Sequence, residues 1–313
     1  MDQKICFGVD IGGTAIKAGM FDIEGHLLEK WEFSTVKSAD GKALLESVTG
    51  FIREKIHEKK LSDRMIAGVG VGVPGPVKEG GHVLILPNLG LTDFNIEEEL
   101  TKRLGLPVKA GNDANNAALG EQWMGSGRGC QSMVMVTLGT GVGGGVVVNG
   151  RVLAGKNGAG GEIGHILVNE KETISCGCGK KGCLEQYSSA SGIVRMAKEY
   201  LQNSSDESAL RSYQSLNAKV IFDCAKSGDS LALAVVEKSC YYLAKALAHV
   251  AQILDPQAFV IGGGVSRAGE ILTDTIRKYY RGMVMEALKD TEFRLAILGN
   301  DAGIYGAAKL VIA

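Results

Sequence analysis

The sequence predicts an α/β protein built from two related halves. Three observations carry that expectation. Apolar runs of strand length alternate with stretches of helical periodicity, the 44 glycines gather at strand ends, and one succession of elements occurs twice. In residues 4–33 that succession is an apolar strand, a glycine turn, a second strand, a polar turn and a third strand. SMVMVTLGTGVGGGVVVNGRVLAG, residues 132–155, repeats it with few identities. Two α/β halves joined near residue 115 would leave a cleft, where ligands commonly bind.

KICFGVD, AIKAGMFD and HLLEKWEF read as strands broken by Gly12-Gly13 and Glu24-Gly25. Residues 40–60 read as a helix with Leu44, Leu45, Val48, Phe51, Ile52 and Ile56 on one face. MIAGVGVGVPGPV is a nearly continuous apolar strand, as burial on both faces requires, ended by Pro74-Gly75-Pro76. Residues 77–92 read as turn-rich, 95–104 as a helix and 106–111 as a strand delivering Asn112-Asp113 to the start of a helix over 113–124. After the repeat, residues 190–255 are mostly helical, with a long apolar-faced helix from about 230 to 254. AFVIGG then forms a strand ending in Gly262-Gly263-Gly264, RLAILG a last strand and AGIYGAAKLVI a closing helix.

A net charge of -1 argues against an electrostatic nucleic-acid or anionic-membrane binder. No apolar run approaches the roughly 20 residues needed to span a bilayer. Seven cysteines is an odd count and MDQKICFGVD lacks a basic-then-apolar signal region, which favours a reducing cytoplasm. Cys6, Cys130, Cys224 and Cys240 are scattered and read as small buried hydrophobes.

The other three cysteines carry chemistry. GEIGHILVNEKETISCGCGKKGCLEQ offers His165, Cys176, Cys178 and Cys183, one imidazole and three sulfurs, a set suited to a closed tetrahedral zinc site. Gly177, Gly179 and Gly182 let a short backbone wrap one point. A redox pair with a spare thiol, or an open loop, are the competing readings; a Cys-x-Cys disulfide would be strained. Glu162 and Glu185 flank the motif and would be fixed by it.

Asp10-Ile11-Gly12-Gly13-Thr14 and Gly139-Thr140-Gly141-Val142-Gly143-Gly144-Gly145 end strands in turns whose backbone N–H groups can face a phosphate. Neither fits a Walker P-loop or a dinucleotide fingerprint. A plain hairpin turn is the alternative for each, and a solvated surface role the alternative for Lys17. Asp113, at a strand end, is the candidate catalytic base, its carboxylate held rigidly beside the Asn112 amide. Helix N-capping is the competing role.

Together DIGGT, GVPGPV, PNL, GNDANNAALGE, GTGVGGG, GEIGH and CGCGKKGCLE resemble the ROK family (repressor, open reading frame, kinase), sugar kinases of the actin-like ATPase superfamily. The resemblance runs over nearly the whole chain, and the cysteine motif followed by Glu185 is its specific part. It implies two actin-like (ribonuclease-H-like) domains flanking a cleft: a small one of residues 1–115 plus a C-terminal helix at about 302–313, and a larger one of 116–301 carrying the zinc loop. It implies structural zinc on His165, Cys176, Cys178 and Cys183, and a hexose held by Asn112, Asp113, Glu162, His165 and Glu185, with Gly75 and Asn88 lining the pocket. Asp113 would be the general base. Asp10, Gly12, Gly13 and Thr14, assisted by Lys17, would handle magnesium and the phosphates of ATP, as would Gly139, Thr140, Gly141, Gly143 and Gly144. Gly262, Gly263, Gly264 and Val265 would sit by adenosine. His165 would serve zinc with one ring nitrogen and a sugar hydroxyl with the other.

The E-x-G-H segment marks members acting on glucose, N-acetylglucosamine or N-acetylmannosamine. Leu91 stands where many relatives carry Trp, which bears on the sugar accepted, and Ala15 replaces a commonly polar residue. The expected activity is ATP-dependent phosphorylation of glucose at its 6-hydroxyl, with an N-acetylhexosamine kinase as alternative and a homodimer as expected assembly. A sugar-responsive repressor is disfavoured, because such relatives carry a helix-turn-helix ahead of this region and nine residues precede Asp10 here. A catalytically dead sugar-binding protein conflicts with the intact Asp113 and both glycine turns.

Overall fold

The structure, a computed structural model, describes residues 4–36, 38, 41–86, 89 and 91–312. The chain forms two compact units, one of Met1–Gly129, Gly145–Gly161 and Leu298–Ala313, the other of Cys130–Gly144 and Glu162–Ile297.

In the first unit, β1 (Ile5–Ile11), β2 (Ala15–Asp22), β3 (Leu27–Ser34), β4 (Ile66–Val73) and β8 (Val108–Asn112) form a five-stranded sheet in the order β3-β2-β1-β4-β8. The β1-β2 and β2-β3 pairs are antiparallel, while β4 runs parallel to both β1 and β8. Helix α1 (Lys42–Glu58) buries Leu44, Leu45, Val48, Ile52 and Ile56, the stripe expected from its periodicity. Helix α2 (Ile96–Leu104) buries Ile96, Leu100 and Leu104, and both helices join the core formed with Phe7, Val9, Val69 and Val71.

The period-2 glycines of β4 serve the other face. Gly8 and Gly70 are partners across β1 and β4, and a Cβ there would lie 2.0 Å from the Ile304 carbonyl and 1.7 Å from the Ala307 carbonyl. These two bare positions let α9 (Ala302–Lys309) lie with its backbone on the sheet. Helix α3 (Asp113–Met124) meets α9 by the same device, since a Cβ at Gly306 would lie 1.6 Å from the Asn116 carbonyl and one at Gly120 2.3 Å from that of Ala302. That packing ties α3 to the first unit. The unit therefore runs to Gly129 rather than to about 115, and residues 145–161 also join it.

The region 77–92, expected to be turns, instead contains β5 (Val77–Lys78), β6 (His82–Leu86) and the start of β7 (Leu91–Asn95), an antiparallel three-stranded sheet. Its strands are short and two of them join at a glycine pair, so neither alternation nor length announced them. Val77, Val83 and Leu86 bury into the main core.

The second sheet has the order β11-β10-β9-β12-β13, from β9 (Met133–Leu138), β10 (Val142–Val148), β11 (Arg151–Val152), β12 (Ala258–Gly262) and β13 (Glu292–Leu295). This is the topology of the first sheet again: three successive strands in reverse order, then two later ones, here parallel to β9 and to each other. The repeat visible in sequence is thus a repeat of topology, and the chain passes from the second unit to the first within β10. The last strand begins at Glu292, two residues before the expected RLAILG.

Helices α4 (Glu185–Ser188), α5 (Ala190–Asn203), α6 (Ala218–Lys226) and α7 (Ser230–Leu254) follow the cysteine motif. Side-chain caps start the longer three, with Ser189, Asn217 and Asp229 accepting backbone N–H groups. Helix α8 (Glu270–Arg281) goes beyond the sequence-based expectations, although its buried Leu272, Ile276 and Tyr280 have helical spacing. Among the described residues, no helix is long and apolar enough to cross a membrane.

Candidate active site

Asp113 opens α3 directly after β8, and the capping work falls on its neighbour. The Asn112 side-chain oxygen accepts from the Asn115 N–H at 3.1 Å, while its amide nitrogen donates to the Gly75 carbonyl at 3.1 Å and to Asp113 Oδ1 at 2.9 Å. Asn112 is therefore the helix N-cap, and Asp113, the other candidate for that role, is oriented by it. Oδ1 of Asp113 also accepts the Ala114 N–H at 2.8 Å. Burial raises the Asp113 carboxyl from its ordinary value, against the opposing pull of the Ala114 N–H and the Asn112 amide. A partly buried carboxylate with one oxygen tethered is equipped to take a proton.

Asp10, near the end of β1, is pushed up to about 6, first by burial and then by the charge of Asp113, with Lys17 opposing. Bare backbone surrounds its carboxylate: a Cβ at Gly303 would lie 2.6 Å from Oδ2 and one at Gly72 3.2 Å from Oδ1. Beside it, Gly12, Gly13 and Thr14 form the three-residue loop of the β1-β2 hairpin, closed by the Gly12 N–H on the Ala15 carbonyl at 3.0 Å. Thr35 braces the loop through its hydroxyl on the Gly12 carbonyl at 2.7 Å. The Gly13 and Thr14 N–H groups donate to no protein acceptor among the described residues. Lys17 pairs with Asp10 across the hairpin, and its ammonium donates to the Asn300 carbonyl at 3.2 Å.

The second unit repeats this loop as Gly139, Thr140 and Gly141 between β9 and β10, closed by the Gly139 N–H on the Gly141 carbonyl at 3.0 Å. A cavity of about 360 Å3 opens on it, lined by Gly139, Thr140, Gly141 and Gly143 together with Glu162, His165, Glu185 and Gly263. Residues assigned to phosphate and to sugar thus share one space. Glu185 links them, because its Oε2 accepts the Val142 N–H at 3.0 Å while its Oε1 lies 3.7 Å from the Cys176 sulfur.

The donor atoms of His165, Cys176, Cys178 and Cys183 all lie within 4.8 Å of one another. Nδ1 is the histidine nitrogen turned to the sulfurs, 3.8 Å from Cys176 Sγ, and Cys178 Sγ is 3.6 Å from Cys183 Sγ. The backbone knuckle behind this convergence comes from the Cys176 N–H on the Lys180 carbonyl and the Gly179 N–H on the Cys176 carbonyl. Gly182 has φ 75°, and a Cβ there would lie 1.9 Å from the Asn169 carbonyl, so no larger residue closes this loop. A polar lock supports it from behind. Tyr187 donates to Glu172 at 2.5 Å, Asn169 donates to the Tyr187 oxygen at 2.7 Å, and Arg195 reaches Glu172 at 3.3 Å. Gln186 adds bonds to the Cys183 N–H and the Ile174 carbonyl.

Gly264 and Val265 line a separate cavity of about 230 Å3 with Lys219, Phe222, Asp223 and Arg267. Gly144 and Gly262 lie inside β10 and β12. Gly75, in a left-handed backbone with φ 144°, serves through its carbonyl on Asn112. Asn88 falls outside the described residues. Sequence reasoning missed Asn112 as cap, and it missed Ser191, whose hydroxyl donates to the Thr140 carbonyl at 2.6 Å across 51 positions. No local pattern connects residues that far apart.

The glucokinase of Halalkalibacterium halodurans is similar to this chain, 41% identical over 99% of it and 96% of its own length. The ROK hexokinase structure from Thermus thermophilus matches with a TM-score of 0.80 at 34% identity, covering 99% of this chain and 97% of that one. A ROK family glucokinase from Streptomyces griseus, solved in complex with glucose and AMPPNP, matches with a TM-score of 0.73 at 34% identity, covering 98% of each. The ROK family pattern itself extends over residues 6–313. The duplicated sheet, the paired glycine loops and the cysteine knuckle therefore belong to a member of the ROK family.

Proposed function

We propose that this chain phosphorylates glucose at its 6-hydroxyl with ATP. The observation that carries the reading is the cavity in which the Gly139–Gly143 turn meets Glu162, His165 and Glu185. A loop offering backbone N–H groups suits phosphate oxygens, and carboxylates beside an imidazole suit vicinal hydroxyls. The similarity to glucokinases at full length supports the same conclusion.

Asp113 accepts the hydroxyl proton as the sugar oxygen forms its bond to the γ-phosphorus and the bond to the ADP oxygen breaks. Asn112 keeps the carboxylate aimed, and burial keeps it basic. The backbone N–H groups of the Gly139–Gly141 loop stabilise charge on the transferring group, so placement and fixed dipoles supply most of the acceleration.

Zinc and magnesium belong to the same proposal. Three sulfurs and one imidazole nitrogen converging within 4.8 Å fit zinc, which would close the loop and leave no coordination position for chemistry. The glycine-walled Asp10 carboxylate fits a hard cation that would screen phosphate charge. A homodimer is carried with this reading and is measured by light scattering.

The test is ADP release with glucose, mannose, fructose, N-acetylglucosamine and N-acetylmannosamine. The highest rate is expected with glucose. A best rate on an acetamido sugar would overturn the glucose assignment, and no release with any sugar would overturn the kinase.

A further inference from the structure

The Gly139–Gly141 loop does not hold its own shape. Only one bond closes it internally, from the Gly139 N–H to the Gly141 carbonyl. Among the described residues, its remaining hydrogen bonds come from one short segment that follows the cysteine motif. The Ala190 N–H donates to the Gly139 carbonyl at 2.8 Å, the Ser191 hydroxyl donates to the Thr140 carbonyl at 2.6 Å, and Glu185 takes the Val142 N–H. Both carbonyls at the loop tip are thereby turned toward α5, and a peptide with its carbonyl on one side carries the following N–H on the other. Fixing the Thr140 carbonyl thus fixes the direction of the Gly141 N–H, which donates to no protein acceptor among the described residues.

The direction of each proton in this chain follows from the geometry. The Gly192 N–H donates to Ser189 Oγ at 3.0 Å, the N-cap bond of α5. Ser189 and Ser191 hydroxyls lie 3.0 Å apart. With the Ser191 proton spent on Thr140, Ser189 must donate to Ser191. The result is a relay from the helix start to the loop tip, in which each bond polarises the next. Ser191 is exposed, so core packing gives no account of a hydroxyl there.

We propose that Ser191 is a positioning residue for the nucleotide phosphates, acting through the Thr140 carbonyl to aim the backbone donors of the Gly139–Gly141 loop. The role of that loop rests on the kinase reading above. Losing one such bond costs roughly 1 kcal/mol, about 5-fold in affinity.

The experiment measures binding of a non-hydrolysable ATP analogue and of glucose separately by calorimetry, in wild type, Ser191→Ala and Ser191→Thr. Ser191→Ala is expected to bind the analogue about 5-fold more weakly with glucose affinity unchanged, and Ser191→Thr, which keeps the hydroxyl, to restore it. A merely structural residue would lower the melting temperature and both affinities together. Unchanged analogue affinity in Ser191→Ala, a parallel loss of both ligands, no rescue by Ser191→Thr, or a wild type that fails to bind the analogue would each overturn the proposal. A wild type that binds the analogue as expected but phosphorylates no sugar would sink the kinase reading and leave the role of Ser191 standing.

Discussion

Replacing Gly141 by Ala is a minimal perturbation with a calculable effect. Gly141 does not adopt a left-handed backbone, so alanine introduces no conformational strain there. Its Cβ, however, would stand 2.3 Å from Glu185 Oε2 and 3.2 Å from Glu185 Cδ. Oxygen and carbon not bonded to each other need more than about 3 Å, so the carboxylate must retreat by about 1 Å. Its 3.0 Å bond to the Val142 N–H is lost in the same movement. A misplacement of about 1 Å in a reacting constellation costs on the order of 100-fold, or about 2.7 kcal/mol of barrier. The assay is kcat/KM for glucose by coupled ADP release, with thermal melting as control for folding. The decisive comparison is the double variant. In a Glu185→Ala background there is no carboxylate to displace, and Gly141→Ala should then cost less than about 3-fold. Near-wild-type activity in the single variant, or a further loss of about 100-fold in the double, would refute the steric argument.

Three further outcomes follow from the site's electrostatics and its sulfurs. Asp10 lies at about 6 in the folded protein against 3.8 when unperturbed, so the folded state holds this proton more tightly. Its favourable contribution is complete below 3.8 and is lost as pH rises through about 6, at about 1.4 kcal/mol per pH unit between the two. The unliganded Asp10→Asn protein should therefore be more stable than wild type at pH 8, by up to about 3 kcal/mol in urea, with the advantage gone near pH 4. An equal or lower stability at pH 8 would contradict this. Because the Asp113 carboxyl is raised and must be ionised to accept a proton, the acid limb of kcat/KM should lie above the value of an unperturbed aspartate; a limb at or below that value counts against Asp113. Cys178→Ser should lose the zinc proposed for this loop, read by metal analysis against wild type, and glucose affinity together, and zinc loss with intact glucose affinity would separate the loop from the sugar.

Much of this was legible because the signals were local. The apolar strands around Gly12-Gly13 and Gly139–Gly145 and the capped helices at 113–124 and 230–254 show their periodicity over a few residues. Cysteines at 176, 178 and 183 converge because Gly179 and Gly182, both at positive φ, let C-x-C-G-x-x-G-C turn tightly, and His165 joins them across one short β-bridge between Leu167 and Cys183. What stayed hidden depends on tertiary contact. Asn112 and Asp113 are adjacent and equally good caps, so only the bond from the Asn115 N–H distinguishes them. Glu185 meets Val142 across 43 positions and Ser191 meets Thr140 across 51. The extension of the first unit past residue 115 rests on Gly120 and Gly306, whose missing side chains matter only once α3 and α9 touch.

On the proposed mechanism, Asp113 takes the proton from the sugar hydroxyl. Asp113→Asn keeps the size of the side chain and removes its basicity. Glucose turnover by coupled ADP release should fall by 100-fold to 10,000-fold, the usual contribution of a general base, while glucose binding by calorimetry stays within about 3-fold of wild type. Turnover within 10-fold of wild type would contradict the account.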